Sequence, residues 1–392
     1  MNLLTSSRLR AYRTCARYHH LRYVEGWSPV REQEALRVGS AVHLGLEAWW
    51  ECDVPLDAFE SAMGAVRGVG IDAYEQVRIE EMLRGYDRHW LGDRLRFKTI
   101  AVEQSFRAPL LNPETMHASR TWALAGKVDA IARDLETGKT VVVEHKTCSE
   151  DIQDAACDYW AKLSMDHQCS AYVLGAEALG HQVDEILYDV IRKPGIRPKR
   201  ATPPESRKFK KRRPAKDAVP ERVIKSGPRK GEVVPGSLGD PGEMHLPEDH
   251  PSLLHANQRL EDETPDEYRI RVREDIKARP ERYFQRRQVM RSNSQLRDFL
   301  FDAWQQAKQM HDAERLNRAP RNPEACHRFG KCWAWDICAN GLDPSGTPDM
   351  FVRLDDVHPE LKEVDTNDTD SKPAEWWKDD ASERAEGSPA GA

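Results

Sequence analysis

The sequence predicts an α/β protein: a mixed central β-sheet flanked by helices, with an N-terminal helical region and a C-terminal Cys-rich segment. Three observations carry that class. Apolar residues recur at helical spacing through most of the first hundred residues. Three successive segments between 99 and 147 switch to the alternation of strands. A helix and one more strand follow them.

Taken in order, residues 6–25 read as a helix, with Ser6 or Ser7 as cap and Leu9, Tyr12, Arg13 and Ala16 at spacings of three and four. Residues 37–50 form a second, with Val42, Leu46 and Trp49/Trp50 on one side, and 57–67 and 71–91 two more. Strands are predicted over 99–109, 121–133 and 139–147, the last two joined by the turn signal LETGK. A helix over 159–179 ends at Gly180, and a strand over 182–192 follows. Residues 193–265 hold most of the Pro and Gly and read as a long, mobile, largely irregular insertion. A strand over 281–291 and a helix over 294–315 precede a loop-rich segment, 316–346. The acidic tail after about residue 355 is expected to be disordered. The implied regions are 1–98, 99–192, 193–265, 266–346 and 347–392.

At 392 residues and 39% hydrophobic, the chain can build one large core or two ordinary ones. No apolar run approaches the roughly 18–20 residues of a membrane span. Arg8, Arg10 and Arg13 precede no apolar stretch, so no secretion signal is read and a cytoplasmic location is expected. The net charge of −6 is unevenly spread. Residues 192–231 carry 16 Lys/Arg against 3 Asp/Glu, whereas residues 355–392 carry 12 Asp/Glu against 4 Lys/Arg. The basic island, densest at Lys210, Lys211, Arg212 and Arg213, either guides a nucleic-acid strand or is a solvated charge run. Trp49, Trp50, Trp122, Trp160, Trp333 and Trp335 read as packing residues rather than stacking platforms.

A hairpin centred on Glu136–Thr137 sets Asp129 directly opposite Glu144; a centre one residue later leaves the two diagonal on the same face. Lys146 shares the face of Glu144. Two carboxylates and an ammonium at the end of the buried run Val141–Val143 suit a hard divalent cation acting on a phosphodiester, although an ordinary cross-strand ion pair uses the same residues. His43 stands mid-helix among small residues, as a structural histidine or a ligand, and Gln168 and Tyr172 share a helix face. Cys326, Cys332 and Cys338 are spaced C-x5-C-x5-C and lie more than 300 residues beyond Cys15. Together the four suit an Fe–S cluster or structural Zn²⁺, or are unrelated buried thiols.

The ordered motifs GSAVH (39–43), GKVDAI (126–131), VVVEHKT (141–147) and QCSAY (168–172) resemble the PD-(D/E)xK nuclease superfamily, in particular its RecB-like exonucleases. The resemblance implies a restriction-endonuclease-like core. It implies Mg²⁺ or Mn²⁺ held by His43, Asp129, Glu144 and the carbonyl of His145, with Lys146, Gln168 and Tyr172 completing the catalytic set. Val128-Asp129 replaces the usual Pro-Asp. Glu103 is a candidate supporting residue. The one-plus-three cysteines resemble the iron–sulfur branch, which includes AddB-type helicase–nuclease subunits and the CRISPR-associated adaptation nuclease. That branch implies a [4Fe–4S] cluster on Cys15, Cys326, Cys332 and Cys338, although its first spacing is usually shorter. The expected activity is exonucleolytic cleavage of single-stranded DNA or DNA ends, in recombination, repair or replication of a bacterial or phage genome. The chain has no G-x4-G-K-[ST] motif, so a helicase or recombinase partner would supply any unwinding. The competing readings are a non-catalytic nucleic-acid-binding protein that keeps the fold, and a Zn²⁺-binding interaction scaffold.

Overall fold

The computed structural model describes residues 1–30, 34–70, 72–328 and 330–361. Beyond residue 361 the acidic tail lies outside the described residues. The chain divides into two compact units, one of Met1–Gly195 with the chain from Val272, the other of Ile196–Arg271.

In the first unit the order is β1 (Asn2–Leu4), α1 (Ser6–Thr14), α2 (Ala16–His19) with a π-helical turn (His20–Val24), β2 (Trp27–Pro29), α3 (Glu34–Glu51), α4 (Ala58–Ala65) and α5 (Ala73–Arg96). Then come β3 (Phe97–Leu111), β4 (Ala118–Asp134), β5 (Thr140–Cys148), α6 (Asp158–Ala161), α7 (His167–Ala178) and β6 (Glu185–Arg192). The second unit holds two short strands, β7 (Arg222–Val223) and β8 (Val233–Val234), and the start of α8 (Pro265–Ala278). Further along the described residues come α9 (Pro280–Tyr283), β9 (Phe284–Val289), α10 (Asn293–Arg315), α11 (Trp335–Asn340) and β10 (Phe351–Arg353).

Six strands make the main sheet, which is mixed as the sequence implies. The long strand β4 is its axis. One edge of β4 pairs antiparallel with β3 along nearly its whole length. The other edge is shared: β1 takes Trp122–Leu124 in parallel, and β5 takes Ala130–Arg133 antiparallel, with Ala130 opposite Val143. That is the first of the two hairpin registers. Beyond Val143, β5 leaves β4 but stays paired with β6, which β9 closes antiparallel. One core cluster joins Phe106, Val128 and Val142 of the sheet to Tyr172 of α7 and Leu296 and Phe299 of α10. Gly126 and Gly175 admit the Phe106 ring, since a Cβ would lie 2.8 and 2.5 Å from it, so α7 rides close to the sheet.

Two predicted helices are broken, each by a tertiary partner. The helix over 6–25 stops at Cys15, which is extended at φ −165° and ψ 118°. Asn322 donates to Thr14 O at 2.9 Å and its backbone N–H to Cys15 Sγ at 3.3 Å, while Arg17 N–H donates to Pro320 O. Partners 300 residues away thus satisfy groups that helix continuation would have paired. The helix over 159–179 restarts at Asp166, whose carboxylate caps Gln168 N–H at 2.9 Å. Arg291 also donates to the carbonyls of Leu163 and Asp166, at 2.7 and 3.1 Å. The strand over 281–291 shortens to β9 behind the helical turn α9. Helix α8 is not among the predicted elements. Its signal is Thr-Pro-Asp-Glu, in which Thr264 and Glu267 each accept the other's backbone N–H, at 3.2 and 3.0 Å.

Candidate active site

The point where β5 departs from β4 gathers the titratable residues. Asp129 and Glu144 are the first residues past the ladder, on either side of the split. The N–H of His145, with no β4 carbonyl to meet, donates to Asp129 Oδ2 at 2.7 Å. Glu144 is fully buried; Oε1 pairs with the Lys146 ammonium, while Oε2 is buried without a partner. Burial raises the Glu144 carboxyl, and the Asp129 charge works in the same direction against Lys146. Burial opposes the Lys146 charge, but Glu144 and Asp129 outweigh it and hold that ammonium above its ordinary value.

His43 comes from α3, with Nδ1 3.9 Å from Asp129 Oδ2. Desolvation pushes its imidazole down to about 4, which leaves a neutral ring able to ligate. On the far side α7 contributes Gln168, which donates to the Tyr172 hydroxyl at 2.8 Å. Burial, then the Glu144 and Asp129 carboxylates, raise the Tyr172 phenol, so it remains a neutral hydrogen-bonding group. Glu103 of β3 lies beside Asp129 of β4, between the pairs Val102–Ala130 and Gln104–Val128. Its φ of +50° departs from strand geometry, and its carboxylate is paired with Lys127.

Among the described residues, no group of three or more His, Cys, Asp or Glu side chains stands arranged to hold a metal ion. The donor chemistry at the β4–β5 split nevertheless fits a hard divalent cation. Two carboxylates converge, one buried oxygen is orphaned, and the adjacent imidazole is neutral.

Behind the split lies a buried group that sequence reasoning missed. His145 Nδ1 lies 3.2 Å from Asp189 Oδ2, and Arg286 Nη2 lies 3.1 Å from the same oxygen. The Tyr86 hydroxyl also donates to it. Burial alone would raise the Asp189 carboxyl, but Arg286 and His145 overcome it and hold the group below the carboxylate range. The available signal was one Asp inside the apolar strand EILYDVIR.

Cys15, Cys326, Cys332 and Cys338 line one cavity of about 380 Å³, with Tyr18 and Trp335 among its walls. Cys332 N–H donates to Cys326 O at 2.8 Å, closing the loop that carries two of them. Burial raises the Cys332 thiol, and Cys326, Cys338 and Cys15 are all near enough to add to that. The densest part of the basic island lies in the second unit. Arg212 pairs with Glu248 at 3.1 Å and Arg213 with Asp240, while Lys210 and Lys211 are exposed. Among the described residues, no helix is long and apolar enough to cross a membrane.

No individual curated protein matches the chain. A family model does, over residues 3–339, a span that takes in both ends of the four-cysteine cavity as well as the β4–β5 split. With its central mixed sheet, and with the carboxylates and lysine at the split lying inside that match, this chain belongs to the PD-(D/E)XK nuclease superfamily.

Proposed function

We propose that this nuclease is a metal-dependent DNA exonuclease acting on single-stranded DNA or DNA ends, in recombination, repair or replication. The observation that carries the reading is the convergence of Asp129, Glu144 and Lys146 where β5 leaves β4. His43, Asp129, Glu144 and the carbonyl of His145 would hold Mg²⁺ or Mn²⁺. A cation bound there supplies charge neutralisation at the scissile phosphate and a more acidic water.

The chain's own groups do the rest. Asp129 is held in place by the His145 N–H. Lys146 orients the attacking water and stabilises charge developing on the phosphoryl oxygens. Gln168 and Tyr172, locked to each other, present a neutral polar pair beside the carboxylates. In this reading Lys210, Lys211, Arg212 and Arg213 guide the strand, most directly the two exposed lysines. Cys15, Cys326, Cys332 and Cys338 hold a [4Fe–4S] cluster that ties the N-terminal helix to the C-terminal segment, with Zn²⁺ as the competing occupant. A helicase or recombinase partner supplies unwinding.

The test is digestion of end-labelled single- and double-stranded DNA by anaerobically purified protein with Mg²⁺, Mn²⁺ or EDTA. Label released progressively from ends, only with metal, supports the reading. Internal cuts in circular DNA replace exonuclease with endonuclease. Intact DNA with a folded protein that still binds it favours the non-catalytic alternative.

A further inference from the structure

Three residues stand side by side across three strands. His145 of β5 is in register with Asp189 of β6, and Asp189 with Arg286 of β9. Their side chains meet in the same order, at 3.2 and 3.1 Å, on a single oxygen, Asp189 Oδ2. Tyr86 of α5 donates to that oxygen and accepts from Arg286 at 2.7 Å. Arg286 also reaches Asp93 at 2.8 Å and lies over the Trp90 ring at 4.1 Å. Asp189 is wholly buried and the Arg286 side chain 5% exposed.

Stability alone is a poor reason for this row, because desolvating two ions commonly costs as much as their attraction returns. The position of the row supplies a better one. Past Val143, β5 has lost β4, and its ladder with β6 is the backbone pairing that remains. The second β5 residue past the split is His145. Its N–H holds Asp129, its neighbours on either side are Glu144 and Lys146, and its ring points into the buried row.

We propose that Asp189, supported by Arg286 and Tyr86, is a positioning residue. Its carboxylate stands 3.2 Å from His145 Nδ1; through that buried contact with the ring it fixes the His145 peptide and so sets the spacing of Asp129 and Glu144 for the cation. This rests on the metal-dependent reading above. Asp189 touches neither substrate nor cation; it acts through His145.

The experiment compares full-length wild type, Asp189→Asn and Tyr86→Phe. Mn²⁺ affinity is measured from the electron paramagnetic resonance of the free ion, melting is measured in EDTA, and cleavage is measured against Mg²⁺ concentration. Asp189→Asn should weaken Mn²⁺ binding by roughly 10-fold or more, the range for groups that orient metal ligands. The half-saturating Mg²⁺ should rise by a similar factor, while kcat at saturating metal changes far less. Tyr86→Phe should move both in the same direction by a smaller factor. A folded Asp189→Asn with wild-type Mn²⁺ affinity overturns the proposal and leaves the nuclease reading intact. Should Asp189→Asn fail to fold, Tyr86→Phe and the charge-compensated Asp189→Asn/Arg286→Met decide by the same criterion. Wild type that binds no Mn²⁺ overturns both readings.

Discussion

The backbone N–H of His145 donates to the Asp129 carboxylate at 2.7 Å, just beyond the last β4–β5 pair. A side chain thus takes the hydrogen bond that the neighbouring strand gives up. The same bond draws Asp129 toward Glu144 and Lys146. A split ladder and a converging set of charges are therefore one structural event.

Lys146→Ala and Asp129→Ala should each lower metal-dependent cleavage by at least ~100-fold, the scale for removing one electrostatic group from a reacting phosphate. Circular dichroism should show both variants folded. Cleavage that survives both substitutions would move the active site away from the β4–β5 split.

Protein purified without oxygen should be brown and contain iron, and Cys326→Ser should bleach it. Colourless protein with stoichiometric zinc would assign the four thiols to Zn²⁺ instead. Metal-free protein of full stability would mean the cavity holds four ordinary thiols.

Gly175→Ala should cost about 1–3 kcal/mol, because the new methyl meets the packed Phe106 ring at 2.5 Å. Chemical denaturation measures it. Since α7 also carries Gln168 and Tyr172, activity should fall beyond the loss in folded protein. An unchanged midpoint would show that the core yields at Phe106.

Burial raises the Glu177 carboxyl to about 7, and its Oε2 is buried without a hydrogen-bond partner. A folded-state value above the unfolded one favours the protonated native form. That contribution is full below about 4.5 and is lost as pH rises through about 7. Glu177→Gln should therefore melt higher than wild type at pH 8 and show little difference at pH 4.5. Parallel melting curves across that window would contradict the assignment.

If Lys210 and Lys211 bind phosphate, replacing both with Ala should weaken single-stranded DNA binding uniformly across sequences. It should also flatten the salt dependence by about 0.7 in log–log slope for each phosphate no longer neutralised. Binding by fluorescence anisotropy from low to moderate salt measures both effects. An unchanged slope would make the island a solvated charge run.

The alternation of 121–133 and 139–147, the LETGK turn and the apolar run Val141–Val143 were legible from residues alone; they determined the hairpin and left two registers, between which the tertiary structure chose. These signals are local: side-chain period and turn chemistry act within a few residues. The breaks at Cys15 and Asp166 were not legible. Each depends on a partner far along the chain, Asn322 for one and Arg291 for the other, that satisfies backbone groups the helix would otherwise keep. The row His145–Asp189–Arg286 was hidden for the same reason. Its strands are adjacent in the sheet but not in sequence, and only packing tells a buried Asp that its charge has a partner. Periodicity determined the strands β3 to β6 and most of the helices around them, but not α8; long-range pairing of buried polar groups decided where elements stop and which charges meet.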